Sequence, residues 1–467
     1  MTLVILVADG ARPDTLFGAM DAGQLPALSA LRESGMATTL SSVFPSVTGS
    51  AYAPFLTGLH PGRAGLPGLR WYDRDRSATL WPAHARSYVG LGGMRADKDL
   101  YRDFRTLFEL EPRSLGGFTY IGRGLSTRRR IGTGWGFGAR LAWTHFRGDL
   151  NGWMRFDRWL GEEFVRRIVA QQPRVAFLAH PGIDKLSHQF GQESPRILSA
   201  MQTVDHTVSL LRDAFATEGR SEELEIWIVS DHGHAAVTQH EDLAGRIAGW
   251  GHRVRAHPWV IGGSDVAVMV SGNAMAHLYL ELGRKRRPIW PALRDRWQPL
   301  LTQLLTLPAV DLAVVPMAEG HVGVHSRERG SAEMFTAGDG SFSYRRGSGD
   351  PLALGEDLIG LNATAAWERT HATPYPDSLV QLCAIASAAR AGDIIISAAP
   401  GWDLRSRWEP VTHVSGHGAL LREQMLVPFI ASRPLREMPL RTTDIFPTAL
   451  QRLGLSLPRG LDGVGRA

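Results

Sequence analysis

The chain has 467 residues, 44% of them hydrophobic, so a sizeable core is expected, built as two or three modules or as one core with insertions. Its net charge of +5 is mild, and the densest basic clusters, TRRRIG (127–132) and GRKRRP (283–288), read as solvated surface. No nucleic-acid-binding module is therefore expected, although a basic surface helps to draw in a small anionic substrate. A single cysteine, Cys383, excludes an intrachain disulfide framework, and no apolar run approaches a membrane span; a soluble, cytoplasmic protein is the expectation.

The first segment, LVILVADG (3–10), is a short, continuous apolar run that ends in Asp9 and a turn. It reads as a core strand. After TLSSVF comes FPSVTGSAYAPFLTGLHPGRAG (44–65), in which Thr48 precedes a small-residue helix start. On its own, Thr48 is either a helix cap or a nucleophile. Residues 93–150 are rich in Gly, Arg and aromatics and read as a cap insertion. MRFDRWLGEEFVRRIVAQQ (154–172) has helical spacing, VAFLAHPG (175–182) reads as a strand, and ILSAMQTVDHTVSLLRDAFA (197–216) is again helical. LEIWIVSDHG (224–233) is a further strand and turn. Residues 246–375 alternate short strands with one helix and a Gly-rich hairpin, which predicts a second insertion, a small α+β cap. DIIISAAPG (393–401) and MLVPFIAS (425–432) complete the set of buried strands.

Strands alternating with helices predict an α/β sandwich with a mostly parallel central sheet. The core is assigned to 1–92, 151–245 and 376–467. In such sheets, sites form beyond the carboxyl ends of the strands. Those ends carry Asp9, then Asp184 and His188 in HPGIDKLSHQFG, then Asp231 and His232 in VSDHGH. His413 and His417 follow in HVSGHGALL. Each motif alone also fits an ordinary turn or a surface histidine. Together they supply carboxylate and imidazole donors at one sheet edge, a set suited to zinc or, as a harder alternative, manganese.

The order VADGARPD, FPSVTGSAYAPFLTGLHPGRAG, Asp184-x-x-x-His188, SDHG and GHG resembles the alkaline phosphatase superfamily, on its nucleotide pyrophosphatase/phosphodiesterase branch. The resemblance implies an alkaline-phosphatase-like three-layer α/β/α sandwich and two divalent ions. It implies that Asp184, His188 and His417 hold one ion, and that Asp9, Asp231 and His232 hold the other with Thr48 in reach. Thr48 is then the nucleophile of a phosphohydrolase, expected to be a phosphodiesterase working through a phosphothreonine. Gly49 and Ser50 are expected to help hold the phosphate. His417 is preferred to His413 because GHG followed by an apolar segment matches the family; His413, His180 and His234 adjoin the site.

The chain also departs from the family pattern. Leu69 stands where the family has an asparagine for a phosphoryl oxygen, so Arg70 or a group from the caps is expected to substitute. Phosphonate hydrolysis, phosphomonoester hydrolysis and a non-catalytic metal-binding role on the same fold remain alternatives. A sulfatase does not fit, because TGSAY lacks that branch's nucleophile motif.

Overall fold

The structure, a computed structural model, describes residues 1–74, 85–257, 264–405 and 412–467. Residues 75–84, 258–263 and 406–411 fall inside the predicted segments but lie outside the described residues. The central sheet is built from β1 (Thr2–Ala8), β2 (Met36–Ser41), β3 (Ser114–Gly117), β4 (Arg130–Ile131), β5 (Val175–His180), β6 (Leu224–Val229) and β7 (Leu426–Ala431). Its seven strands run in the order β2-β7-β6-β1-β5-β3-β4. β1 pairs in parallel with β5 and β6, and β3 in parallel with β4 and β5. β7 alone opposes its neighbours.

β1 is a continuous apolar run because both faces of the sheet are covered. Leu3, Ile5 and Val7 pack on one side with Tyr52, Phe55 and Phe446. Val4, Leu6 and Ala8 pack on the other with Phe164, Val204 and Val208. The helices Leu150–Gln171 and Arg196–Thr217 cover this second face, while Ala53–Thr57 and Ile445–Arg452 cover the first. The result is an α/β fold with a mostly parallel central sheet.

Three segments sit differently from the sequence expectation. Residues 93–150 do not form a cap throughout, since β3 and β4 extend the central sheet. SLGG (114–117) contains no β-branched residue and gives no strand signal; its glycines are small because Leu125 and Leu178 pack against them. Ile394–Ala398 was expected in the parallel sheet. It lies instead in a second, nine-stranded sheet, between Met275–Leu280 and Val310–Ala318 and antiparallel to both. β7 is in the central sheet but antiparallel. A short run buried on both faces reads the same in either sheet and either direction.

Register sets the position of the site. Ala8 lies opposite His180, and Val7 opposite Val229. The chain therefore leaves three neighbouring parallel strands at one edge. The loop that follows β2 is fixed from the C-terminal part of the chain. Arg441 donates to both Asp377 carboxylate oxygens at 2.7 Å, and Gln381 donates to Asp377 at 2.7 Å. The same glutamine accepts from the backbone N–H of Phe44 at 2.9 Å, four residues before Thr48. Arg441 and Asp377 are both buried. Removing one member of such a pair leaves an uncompensated buried charge. Arg441→Ala is expected to lower unfolding stability by about 3–5 kcal/mol in urea denaturation. An unchanged midpoint would show that the pair does not hold this segment.

Candidate active site

Each side chain of the site is placed by its backbone. The Asp9 N–H donates to His180 O at 3.1 Å, and Asp9 O accepts from Asp184 N at 3.0 Å. The helix Gly182–Phe190 then carries Asp184 and His188 one turn apart, on one face. In the turn after β6, Ser230 Oγ donates to His232 O at 2.7 Å and accepts from Ala11 N at 3.0 Å. This fixes Asp231 and His232 against β1. His417 comes from no strand of the central sheet. Its N–H donates to Gly272 O at 3.2 Å and its carbonyl accepts from Ala274 N at 3.1 Å, so a turn of the second sheet delivers it. Gly272 has φ +60°, and a Cβ there would lie 2.7 Å from His417 O. Thr48 is presented by Gly49, whose φ of +86° turns the chain into the 3₁₀ segment Ser50–Tyr52.

The donors converge closely. Asp184 Oδ1 lies 3.2 Å from His188 Nε2, 3.0 Å from His234 Nε2 and 3.5 Å from His417 Nε2. His232 Nε2 lies 2.9 Å from Thr48 Oγ1, 3.3 Å from Asp9 Oδ1 and 3.5 Å from Asp231 Oδ2. Thr48 Oγ1 is also 3.4 Å from Asp9 Oδ1. All seven residues implied as ligands are thus gathered at one place.

The outer nitrogens of the histidines decide what the inner ones can do. Nδ1–H of His188 donates to Ser415 O at 3.0 Å, that of His232 to Gly233 O at 3.1 Å, and that of His417 to Ser46 O at 3.0 Å. A carbonyl can only accept, so in each neutral ring Nε2 carries the lone pair. Burial pushes His232 down to about 3 and His417 well below the ordinary histidine value. Neutral lone pairs therefore face carboxylate oxygens, acceptor against acceptor. Burial, reinforced by Asp184, pushes Asp9 up to about 7, and burial with Asp9 and Asp184 pushes Asp231 well up. Burial opposes the charge of Asp184 too, but Lys185 and His188 hold it well below the usual carboxylate range. Asp231 Oδ2 is buried with no hydrogen-bond partner among the described residues. Such a donor set fits divalent cations. Two groups are close enough to hold one each: Asp184, His188, His234 and His417, and Asp9, Asp184 and His232.

Three residues at the site were not singled out as ligands or catalytic groups in the sequence. His234, named there only as adjoining, is fully buried and aimed at Asp184. Lys185 donates to Asp184 Oδ2 at 2.7 Å, and Tyr52 donates to Asp9 Oδ2 at 2.7 Å. Lys185 and Tyr52 stand inside the motifs DKLSH and TGSAY, where only their position next to the named residues marks them. A cavity of about 920 Å³ opens over the site, lined by Asp9, Thr48, Asp184, Lys185, His188 and His417 at one end. Leu69, Arg70 and His413 also line it. His413 lies tilted against His188 with ring centres 4.2 Å apart and falls outside both ligand groups. Gly49 and Ser50 are buried and do not line the cavity. His180 is turned to Asp157, with its Nδ1 at 2.7 Å.

A sheet edge carrying three buried carboxylates, neutral imidazoles and a threonine belongs to an alkaline-phosphatase-like α/β fold. Within that class, the chain belongs to the type I phosphodiesterase/nucleotide pyrophosphatase family, a family of metal-dependent phosphate-ester hydrolases, which residues 3–420 match. It is 26% identical over 177 residues to ectonucleotide pyrophosphatase/phosphodiesterase family member 7 of Homo sapiens, covering 38% of this chain and 32% of that protein. The Mus musculus protein of the same name is 28% identical over 179 residues, covering 38% of this chain and 34% of that one. The match thus spans about a third of the length of these curated relatives. Phosphonoacetate hydrolase of Sinorhizobium meliloti 1021, solved with phosphonoformate, is similar in fold at TM-score 0.58 and 17% identity, covering 97% of this chain and 95% of that one. An inactive variant of murine ectonucleotide pyrophosphatase/phosphodiesterase 5, solved with AMP, gives TM-score 0.57 and 13% identity, covering 99% and 97%. No helix among the described residues is long and apolar enough to cross a membrane.

Proton linkage tests the site without turnover. His232 and His417 are already neutral near pH 6, so cation uptake there displaces protons from carboxyl groups, not from imidazoles. Asp9, held up to about 7, is protonated at pH 6 and ionised at pH 8 in the metal-free protein. Cation affinity is expected to rise with pH through this window, with about one proton more released per chain at pH 6 than at pH 8. Calorimetric zinc titrations in buffers of different ionisation enthalpy measure this. Equal release at both pH values would overturn the assignment of Asp9.

Proposed function

We propose that the protein is a two-metal phosphohydrolase, with phosphodiesters as its preferred substrates and Thr48 as its nucleophile. The observation that carries this reading is the placement of Thr48 Oγ1, 2.9 Å from His232 Nε2 and 3.4 Å from Asp9 Oδ1 at the wall of the cavity. Asp184, His188 and His417 would hold one ion and Asp9, Asp231 and His232 the other, zinc first and manganese as the alternative. Such ions supply Lewis-acid stabilisation of the attacking and leaving oxygens in an in-line displacement.

The protein's own groups do the rest. Thr48 Oγ gives up its proton to solvent and forms a bond to phosphorus, the bond from phosphorus to the leaving oxygen breaks, that oxygen takes a proton from solvent, and a phosphothreonine results. Water then attacks phosphorus and loses a proton to solvent, the bond to Thr48 Oγ breaks, Oγ takes a proton back from solvent, and the product leaves. Tyr52 and Lys185 hold Asp9 and Asp184 by their outer oxygens, which keeps both carboxylates aimed at the site. Lys185 and Arg70 also line the cavity as cations; Leu69 lines it too, and its side chain offers no hydrogen-bond donor to a phosphoryl oxygen. This arrangement supports a second reading, hydrolysis of a phosphonate, since a ligand with a second anionic group would meet these cations. The fold similarity to phosphonoacetate hydrolase points the same way.

Two measurements test the reading. The rates on bis-p-nitrophenyl phosphate and p-nitrophenyl phosphate are compared with zinc and with manganese supplied. A diester-to-monoester ratio well above one supports the diesterase, a ratio well below one moves the assignment to a monoesterase, and turnover of phosphonoacetate alone moves it to the phosphonate reading. Thr48→Ala is expected to lower kcat by at least about 10⁴-fold, the scale on which loss of a nucleophile acts, while bound metal is retained. An active Thr48→Ala variant overturns the nucleophile.

A further inference from the structure

His234 has no role in the ligand set implied by the family resemblance, yet it stands in the middle of the site. Its ring is fully buried. Its Nδ1 lies 3.1 Å from Ser415 Oγ, and that hydroxyl gives its proton to Ala235 O at 3.1 Å. With the serine proton on Ala235 O, Nδ1–H donates to the serine oxygen and the lone pair of His234 sits on Nε2, 3.0 Å from Asp184 Oδ1; in the other tautomer Nε2–H donates to Asp184. Of the three imidazoles around that oxygen, His234 is the nearest, ahead of His188 at 3.2 Å and His417 at 3.5 Å.

The three rings form a tripod. Ring centres are 4.8 Å apart for His188 and His234, 5.1 Å for His188 and His417, and 5.1 Å for His234 and His417. Tetrahedral zinc, with nitrogens about 2 Å from the ion, requires neighbouring imidazole centres about 5 Å apart. The spacing is even on all three sides, as a shared centre demands. His232 falls outside this triangle. Its ring lies flat on His417 at 3.6 Å, and its Nε2 turns to Thr48 and Asp9.

We infer that His234 is a fourth protein ligand, so that His188, His234, His417 and Asp184 close one ion position as a three-nitrogen, one-oxygen tetrahedral site. The inference rests on the two-metal reading above and deepens it, because it makes the two positions unequal. The closed position keeps its ion as a fixed charge, since four protein ligands saturate tetrahedral zinc. The position beside Thr48, built from Asp9, Asp231 and His232, is the open one.

The test uses the full chain loaded with cobalt(II) alone, read by visible absorption and by metal content after dialysis. Geometry is diagnostic of the ligand set. Wild type is expected to bind two cobalt ions, to show the intense absorption of a tetrahedral ion, and to keep one ion through dialysis. His234→Ala is expected to lose about half or more of that absorption and to retain its ion about 10–100-fold less tightly, the scale on which site partners act. Added imidazole should restore the band. His234→Gln, which keeps a hydrogen bond to Asp184 without an imidazole, is expected to behave like the alanine variant and gives the reading if that variant does not fold. Unchanged absorption and metal content in the folded glutamine variant would make His234 a hydrogen-bond partner of Asp184 and overturn the inference alone. A wild-type protein that takes up no cobalt overturns both the inference and the two-metal reading.

Discussion

Three carboxylates are brought out of water to one edge of a sheet, and much of the rest of the site answers that electrostatic problem. Asp9, Asp184 and Asp231 are each at most 1% exposed. Their closeness follows from the parallel register of β1, β5 and β6, whose ends coincide. Lone carboxylates in such a place are expensive, and proteins neutralise or pair them. Here Asp184 has Lys185, while Asp9 and Asp231 are pushed toward the protonated form. His232, His234 and His417 do not supply the missing charge, because burial keeps these rings neutral. Opposing acceptors at 3.0–3.5 Å are relieved when positive charge comes between them.

The second sheet is part of this solution as well as a neighbour of the first. It supplies the turn Gly272–Ala274 that grips His417 on both sides of its backbone. Ser415 accepts from His188 through its carbonyl and from His234 through its hydroxyl. A chain segment far from Thr48 along the sequence thereby orients the rings of its neighbours. The Arg441–Asp377–Gln381 chain fixes the backbone of Phe44 from the same C-terminal region. The site forms only when these distant segments have docked.

What could be read in the sequence follows from how local each signal is. β1, β5 and β6 are short apolar runs ending in Asp or His, and their strand character and the edge they share could both be read. The α/β class was legible for the same reason. Thr48, Asp9, the Asp184–His188 pair and the Asp231–His232 pair lie in compact motifs, and the structure brings them together. His234 was not legible as a ligand because its significance lies in Ser415 and Asp184, far from it in the chain. Tyr52 and Lys185 act through single hydrogen bonds to residues that were recognised, and no periodicity marks such a contact. The placements of Ile394–Ala398 and β7 depended on which neighbour each strand pairs with, a tertiary choice that an apolar run does not record.

On the proposed reading, the cavity offers the cations Arg70 and Lys185 to a phosphoryl oxygen, while the Leu69 side chain offers no donor. A hydrogen-bond donor at that position recognises a phosphoryl oxygen by contact, whereas cations recognise it by charge and do so over a longer range. Lys185 is anchored to Asp184, so its ammonium is held at a fixed place by a bond that does not depend on the ligand. A preorganised cation of this kind costs little to align when an anion arrives. Phe118, Tyr120, Phe137, Leu141 and Trp153 add apolar and aromatic surface to the wall, beside Arg86, Arg95 and Arg130. Charge would then hold the phosphorus end of a ligand, and the apolar wall would sort what is attached to it. On the proposed reading, what is attached to the phosphorus meets the segment 118–153, which also lends Arg130 and Ile131 to the central sheet.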